Sequence, residues 1–255
     1  MTTQMQKAKR FRKLHVVGEP LVLFNIWDPG SAKAVAETGA LALATSSWAV
    51  SEASGYSDGE HTPLSFAMDN LRRITEATEL PVTVDLESGY GDTPRKVGET
   101  VALAIKAGAI GCNLEDSFPE SGKLRPLAEQ VERIRHARQA AEAAKIPYFI
   151  NARTDVFFQG AAVPHDTALL ETALERARAY AAAGASGFFV PGLKDPELIA
   201  RLAQACPLPV NVMMTSGMPA LSILAEVGVS RVSHGPGPYL TAMKALTEGA
   251  RAVMA

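Results

Sequence analysis

Short apolar runs punctuate the chain at regular intervals. Pro20, Pro81, Pro147 and Pro209 each stand directly before one of them: LVLF, VTVDL, YFINA and VNVMM. Between these, Gly39-Ala40, Gly108-Ala109, Gly184-Ala185 and Gly228-Val229 introduce four more: LALAT, IGCNLE, SGFFV and SRVS. A glycine there suits the left-handed residue that ends a helix, and a proline suits entry into a strand. Ala-rich amphipathic stretches such as Glu129–Lys145 and Thr167–Ala183 precede every run but the first. The pattern predicts eight strands alternating with helices, at about 32 residues per unit, the size of a (β/α)8 TIM barrel. The Pro-led strands recur at spacings of 61, 66 and 62 residues, as a repeated two-strand unit would. An open doubly wound sheet is disfavoured by the even eight-fold count and the missing GxGxxG fingerprint. No linker divides the chain, so residues 1–255 read as one barrel domain with a helical extension over 1–19.

Composition narrows the function. Lys and Arg number 25 against 27 Asp and Glu, a net charge of −2 that offers no footprint for nucleic acid or an anionic membrane. The longest uncharged stretch, Cys206 to Ala225, is broken by Pro207, Pro209 and Pro219 and makes a poor membrane span. Cys112 and Cys206 fall in no CxxC pattern, so neither a disulfide framework nor a zinc ribbon is expected. Lys7, Lys9, Arg10, Arg12 and Lys13 have no apolar run behind them; they read as a short basic helix lying against the fold, not a signal peptide. A cytoplasmic location is the expectation.

Barrel chemistry sits at the carboxyl ends of the strands. The runs are followed in turn by Asn25 and Asp28; by Thr45, Ser46, Ser47 and Trp48; and by Asp85, Glu87 and a Ser-Gly-Tyr-Gly-Asp turn. Asn113, Glu115 and Asp116 come next, then Asn151, Arg153 and Asp155; the sixth run ends at Pro191-Gly192, and the last two give Asn211, Met213, Ser233 and His234. Side chains two apart on a strand share a face. Asp85 with Glu87, Asn113 with Glu115, and Asn151 with Arg153 are therefore expected to form three pairs aimed at one side. Three carboxylates converging there would repel one another without a cation. Oxygen ligands with no histidine point to Mg²⁺ or Mn²⁺. The competing reading pairs these acids with Arg or Lys at the rim, and Arg153 can serve one of them but not all three.

The remaining signals are weaker. Backbone N–H groups at Ser46-Ser47-Trp48 could face an anion. Gly217 and Gly235-Pro236-Gly237 read as tight turns, since Pro236 and Pro238 remove donors that a phosphate site would need. His234 reads as a structural strand-end residue. Cys112, out of phase with Asn113 and Glu115, reads as core. Ser117–Arg125 is either a lid or an ordinary connection, and Lys123 and Arg125 reach an anion only if it folds inward.

Taken in order, FNIWDPGSA, ATSSW, GYSDGE, VDLESGYGD, NLED and INARTD resemble the isocitrate lyase/phosphoenolpyruvate mutase superfamily, from about Leu21 to Ser233. The resemblance implies a (β/α)8 barrel whose last helix is often swapped between subunits, hence a homodimer or homotetramer. It implies Mg²⁺-dependent chemistry on small 2-oxo or 2-hydroxy carboxylic acids, with Asp85 as the direct metal ligand. Asp58, Glu87 and Glu115 would hold metal-bound waters; Glu87 stands where many members have Asp. Ser46, Ser47 and Trp48 would hold the substrate carboxylate or oxo group, and Arg153 would neutralise another substrate oxygen. One departure matters more than the matches. The Lys-Lys-Cys-Gly-His lid of the isocitrate and methylisocitrate lyases is replaced by DSFPESGKLRP, so neither of those activities is expected.

The reading that follows is a C–C bond lyase working through a metal-stabilised enolate, either oxaloacetate decarboxylase-like or cleaving a substituted malate. Decarboxylation needs only the electron sink. Cleavage of a 2-hydroxy acid also needs a base, for which Asp58 and Tyr90 are the candidates. Asp58 and Arg153 are thus the expected catalytic residues. The alternatives are C–P chemistry of the phosphonopyruvate hydrolase or phosphoenolpyruvate mutase type, and a non-catalytic binder of oxo acids.

Overall fold

The structure is a computed structural model, and it describes residues 2–159 and 165–254. Eight strands appear where the punctuation predicts them: β1 (Leu21–Leu23), β2 (Leu43–Ala44), β3 (Val82–Asp85), β4 (Gly111–Glu115), β5 (Phe149–Arg153), β6 (Gly187–Phe189), β7 (Val210–Met213) and β8 (Arg231–Ser233). All neighbours pair in parallel, in the order β1-β8-β7-β6-β5-β4-β3-β2. A parallel bridge from Ile26 to Thr45 closes the ring. Asn25 clamps that seam: its Nδ2 donates to the Thr45 carbonyl at 2.8 Å, and its Oδ1 accepts from the backbone N–H groups of His234 and Gly235, each at 2.9 Å. The chain is therefore a single TIM barrel, as the sequence pattern predicts.

Each strand turns one set of side chains to the surrounding helices and the alternate set inward. Val84, Cys112, Leu114, Ile150, Ala152, Phe188, Val212 and Val232 form the outward set and are buried beneath α5 (Pro94–Lys106), α6 (Leu127–Ala143), α7 (Thr167–Ala182) and α8 (Pro196–Ala205). Cys112 is accordingly core, and both cysteines are free. The helix-ending glycines do what their position requires. Gly108 has φ +98°, and a Cβ there would lie 2.8 Å from Thr75 Oγ1.

The basic N-terminal helix, α1 (Gln4–Lys13), closes the floor of the barrel. Thr3 caps it with a reciprocal bond to Gln6, and Gln4 Nε2 donates to the carbonyls of Ile105 and Ala109. Its apolar face, Ala8 and Phe11, is wholly buried against Leu21, Leu23 and Phe149, while Lys9, Arg10, Arg12 and Lys13 face solvent. At the other end of the chain, α10 (Gly237–Met254) leaves the barrel. Pro238 is its one buried residue, and Leu246 is 66% exposed. The outer face of β1, with Val22 and Phe24, is correspondingly uncovered. Among the described residues no helix is long and apolar enough to cross a membrane.

Candidate active site

The inward registers carry the site. Asp85 lies beside Asn113, which lies beside Asn151; one step further along, Glu115 lies beside Arg153, which lies beside Phe189. Glu87 departs from the expected pairing. β3 ends at Asp85, and Glu87 adopts φ +52°, so it is no longer two apart from Asp85 on a regular strand. Its carboxylate instead accepts from the backbone N–H groups of Gly59 at 2.8 Å and Glu60 at 2.6 Å, and from the Tyr90 hydroxyl at 2.7 Å. Glu60 returns the clasp by accepting from Ser88 Oγ and the Tyr90 N–H. The loop bearing Asp58 is thereby locked onto the loop bearing Glu87.

Asp85 is the focus. One carboxylate oxygen accepts from Ser47, from its hydroxyl at 3.1 Å and its N–H at 3.4 Å. The other, Oδ1, is buried with no hydrogen-bond partner. A buried charged oxygen without a partner is costly unless something else satisfies it. Its neighbours sharpen the point. Burial, then the nearby Asp85 charge, raises the Asp58 carboxyl above its ordinary range. Burial lifts Glu87 to about 7 against the donors that favour its charged form. Burial also raises Glu115, with Arg153 pulling the other way. Bare oxygen on Asp85 within an all-oxygen, cation-poor ring fits a hard divalent cation. Among the described residues no three His, Cys, Asp or Glu side chains are placed to ligate an ion by themselves. Asp85 would hold Mg²⁺ directly, with Asp58, Glu87 and Glu115 reaching it through water; Mn²⁺ suits the same donors.

Arg153 is fixed from two sides. Its Nη1 contacts Glu115 at 2.8 Å, and its Nε and Nη2 grip Asp155 at 2.6 and 3.1 Å. Burial disfavours the charge, but Glu115 and Asp155 outweigh it and keep the guanidinium protonated. Asp155 is anchored in turn by the fully buried Asp116, which accepts from the Asp155 N–H, Thr154, Arg176 and Tyr180. The sequence shows Asp116 and Asp155 at strand ends but gives no sign of this relay, because Arg176 and Tyr180 come from α7.

Two connected lobes open at the mouth. One, of about 160 Å³, is lined by Ser46, Ser47, Trp48, Asp85, Asn113 and Ser233 and by Phe158, Phe189, Met213 and Pro236, with the Phe158 ring 5.9 Å from the Arg153 guanidinium. The second, of about 230 Å³, lies under the 117–122 loop and is lined by Glu87, Glu115, Ser117 and Phe118. Asp58 and Arg153 border both. The predicted set Ser46, Ser47, Trp48, Asp58, Asp85 and Arg153 therefore meets in one cavity, with Glu87 and Glu115 in the adjoining one. Some details differ from expectation. The Ser46 N–H is taken by the Ile26 carbonyl, and its hydroxyl caps α3 (Ser47–Ala53), so that N–H is unavailable to an anion. Tyr90 donates its hydroxyl to Glu87, and burial with that carboxylate holds the phenol protonated, which removes it as a base. His234 packs against Phe24, with ring centroids 5.2 Å apart, and lies outside the lining. The 117–125 loop is a small hairpin joined by a Ser117–Leu124 bridge; Arg125 lies over the Phe118 ring and pairs with Glu129, while Lys123 stays exposed. Phe189 is a lining residue that the bland end of the sixth run did not reveal.

Comparison with known proteins places this arrangement. A family model described as phosphoenolpyruvate phosphomutase matches residues 11–254. A crystal structure of a provisionally assigned phosphonomutase from Burkholderia cenocepacia J2315 is 58% identical, covers 97% of this chain and 98% of its own, and superposes with a TM-score of 0.95. Oxaloacetate decarboxylase of Pseudomonas savastanoi pv. phaseolicola is 30% identical over 87% of this chain and 75% of its own length. The 2-methylisocitrate lyase of Escherichia coli is 30% identical over 96% and 82%.

Proposed function

The chain belongs to the phosphoenolpyruvate phosphomutase family, within the isocitrate lyase/phosphoenolpyruvate mutase superfamily of lyases and mutases, and from that premise we propose that it is a Mg²⁺-dependent C–C bond lyase acting on a small 2-oxo or 2-hydroxy carboxylic acid. The observation that carries the reading is the bare, buried Oδ1 of Asp85, a residue that lines a cavity together with Arg153.

When bound, Mg²⁺ supplies Lewis acidity that draws developing negative charge toward the substrate's oxo oxygen. The side chains do the rest. Ser47 holds Asp85 in place through two bonds. Arg153 has five N–H donors, of which three are engaged by Glu115 and Asp155. The remaining two can take a substrate oxygen and hold the scissile bond in line. Asp58, at the rim with a raised pKa, is placed to accept a hydroxyl proton from a 2-hydroxy acid. Decarboxylation of a 3-carboxylated 2-oxo acid, such as oxaloacetate, needs no such base. The relative named oxaloacetate decarboxylase and the absence of the Cys-bearing lid from this sequence both favour that branch.

An NMR time course recording ¹H and ³¹P on oxaloacetate, 2,3-dimethylmalate, methylisocitrate and phosphonopyruvate tests the proposal, with Mg²⁺, EDTA and Asp85→Ala arms. Loss of one carbon acid only with intact protein and Mg²⁺ establishes the lyase. Loss of phosphonopyruvate alone moves the chain to the C–P reading, which the relative from B. cenocepacia supports. Tight oxalate binding with no turnover of any candidate makes it an oxo-acid binder.

A homo-oligomer completes the proposal. α10 exposes Leu240, Leu246 and Val253, while an apolar groove over β1 is lined by Val22, Phe24, Leu41 and Leu221. An α10 from a second copy seated in that groove would cover both surfaces. Light scattering on the full chain and on a chain ending before Gly237 separates a dimer or tetramer from a monomer.

A further inference from the structure

Inside the barrel lies a cation that no carboxylate reaches. Arg231, on β8, is fully buried, and among the described residues it makes no ion pair. Its Nε donates to Ser233 Oγ at 3.2 Å on the same strand, and its Nη2 to Asn113 Oδ1 at 3.3 Å on β4, across the ring. Nη1 is buried without a partner. Burial pushes the pKa down to about 9, with the Asp85 charge pulling the other way, so the group is cationic at pH 7. Arg231 itself does not line the cavity, but Ser233 and Asn113, which accept from it, both do. We infer that Asn113 is a further substrate-binding residue, donating its amide N–H groups to an oxygen of the bound acid, and that Arg231 is the positioning residue that aims and polarises that amide. This role rests on the oxo-acid reading of the site proposed above and deepens it.

Chemistry fixes which way the Asn113 amide faces. A guanidinium carries donors only, so the atom that meets Arg231 must be the amide oxygen. Asn151 Nδ2 donates to that same oxygen at 2.9 Å, which takes its second lone pair. Gly187 leaves Asn151 its place, since a Cβ there would lie 2.8 Å from Asn151 Oδ1. With its oxygen held by these two donors, Asn113 turns Nδ2 away from them. Nδ2 has no hydrogen-bond partner among the described residues, yet it is not one of the polar atoms sealed from solvent. The residue is 5% exposed and lines the cavity, so the cavity is what its N–H groups meet. They do not serve Asp85, the neighbour in register, whose Oδ1 stays bare. The other amide lining this lobe, Asn25, spends both ends on the barrel seam. Position and charge then agree. Asn113 stands between Asp85 and Asn151 in register, one layer below Glu115 and Arg153. An acid bound between Asp85 and Arg153 shares its lobe with an amide whose donors have nothing else to bind, and such donors favour an oxygen that carries or gains negative charge. Donation by Arg231 to the amide oxygen polarises the group and strengthens the N–H donors at its other end. The unpaired guanidinium adds positive potential where water screens it little.

Oxalate presents the adjacent oxygens of a 2-oxo acid without a C3 group to lose. The test titrates it into the full chain by calorimetry, with and without Mg²⁺, and follows urea unfolding of each variant alongside. The expected result is Mg²⁺-dependent oxalate binding by the parent, weaker by roughly tenfold or more in Asn113→Ala and by several-fold in Arg231→Met. Arg231→Met orphans no acceptor, since Asn113 Oδ1 keeps Asn151 and Ser233 Oγ keeps Asn211. Its urea midpoint should hold or rise as an unpaired buried charge leaves, and Arg231→Lys, which keeps the cation, should recover most of the affinity. Asn113→Asp gives Arg231 a counter-ion; it should fold at least as stably as the parent yet lose oxalate binding. A purely structural role predicts the reverse pattern, lower midpoints with oxalate binding intact in the molecules that fold. Oxalate binding at parental strength by folded Asn113→Ala or Asn113→Asp would overturn the role of Asn113 while the oxo-acid site stands, and the same result in folded Arg231→Met would overturn that of Arg231. If the parent itself fails to bind oxalate with Mg²⁺ present, the reading of the site fails and the role of Asn113 falls with it.

Discussion

At the floor of the barrel, Ala8, Phe11, Leu23 and Phe149 are shut away from water, and the polar groups of α1 reach defined carbonyl partners. At the mouth, the same strands end in Asp85, Glu115 and Arg153, joined by Asp58 and Glu87 from the loops, and one buried carboxylate oxygen has no partner at all. Apolar burial and dispersion stabilise the floor. The mouth does the opposite, since Asp58, Glu87 and Glu115, crowded around Asp85 in a half-buried ring, ionise less readily than in water. The two ends share strands no more than five residues long. A well-packed floor is what lets those strands hold an electrostatically unfavourable arrangement at their other end. Substitutions at the two ends should therefore separate stability from chemistry.

The largest effect is expected at the mouth. Asp85→Ala removes the proposed direct ligand and should lower kcat/KM by 10³-fold or more, equivalent to about 4 kcal/mol of transition-state stabilisation. Because it also removes an unpartnered charge, thermal unfolding in EDTA should show unchanged or higher stability. Mg²⁺ should raise the melting temperature of the parent by mass action and leave that of the variant unmoved. Full turnover in Asp85→Ala would sink the metal-assisted mechanism.

Phe11→Ala inverts that result. Phe11 is completely buried and meets Phe149 edge-on, with ring centroids 5.4 Å apart. Truncating such a ring costs about 3–5 kcal/mol, readable as a lower urea midpoint with unchanged slope. The activity of the molecules that remain folded should be unaffected, because nothing at the floor touches the cavity. A matching loss of kcat at low temperature, where the variant is folded, would show that the two ends are coupled.

The same contrast explains what could be read along the chain. Strand positions were legible because glycine and proline punctuate them locally, and the inward register of Asp85, Asn113, Glu115, Asn151 and Arg153 followed from a period of two. That rule fails for Glu87, where a left-handed residue follows the last strand position. The Glu60 clasp on Ser88 and Tyr90, and the Asp116–Arg176–Tyr180 support of Asp155, join residues 28 to 64 apart in sequence, and no local pattern announces them. Phe189 was hidden for another reason. An aromatic residue in an apolar strand reads as core, and only the barrel's closure shows which face it presents.

The floor also predicts a response to pH. His15 stacks on Phe149 with centroids 4.0 Å apart, and its Nδ1 meets the Phe11 carbonyl at 2.9 Å. Burial, then the charge of Arg231, pushes its pKa down to about 3 from an ordinary 6.5. The unfolded chain therefore takes up a proton first as the pH falls. The contribution is fully present above about pH 6.5 and is lost progressively toward pH 3. By pH 5 this one group should have cost about 2 kcal/mol. Urea unfolding of the parent and His15→Leu at pH 7.5 and pH 5 isolates it: the parent should lose about that much more than the variant. Parallel losses would mean that His15 is solvated in the folded protein.

The smallest effect returns to the mouth. Asp58 is exposed at the rim, yet its carboxyl is raised by partial burial and by Asp85, so holding it charged beside Asp85 is unfavourable without a cation. Asp58→Asn keeps the shape and removes the repulsion. In EDTA near pH 7 the variant should be more stable by up to about 1 kcal/mol, a figure kept small because water screens a rim charge. With saturating Mg²⁺ the order should shrink or reverse, since the parent then gains an ion its carboxylates help to hold. Turnover separates the two branches of the mechanism as well. A 2-hydroxy acid that needs Asp58 as base should slow by 10²-fold or more, while decarboxylation of a 2-oxo acid should slow far less. Equal losses on both substrates would place Asp58 in metal or substrate binding and remove it as a base. An EDTA stability below the parent's would show that favourable contacts of the Asp58 carboxylate outweigh the repulsion, and the contrast between the two ends would then fail at this residue.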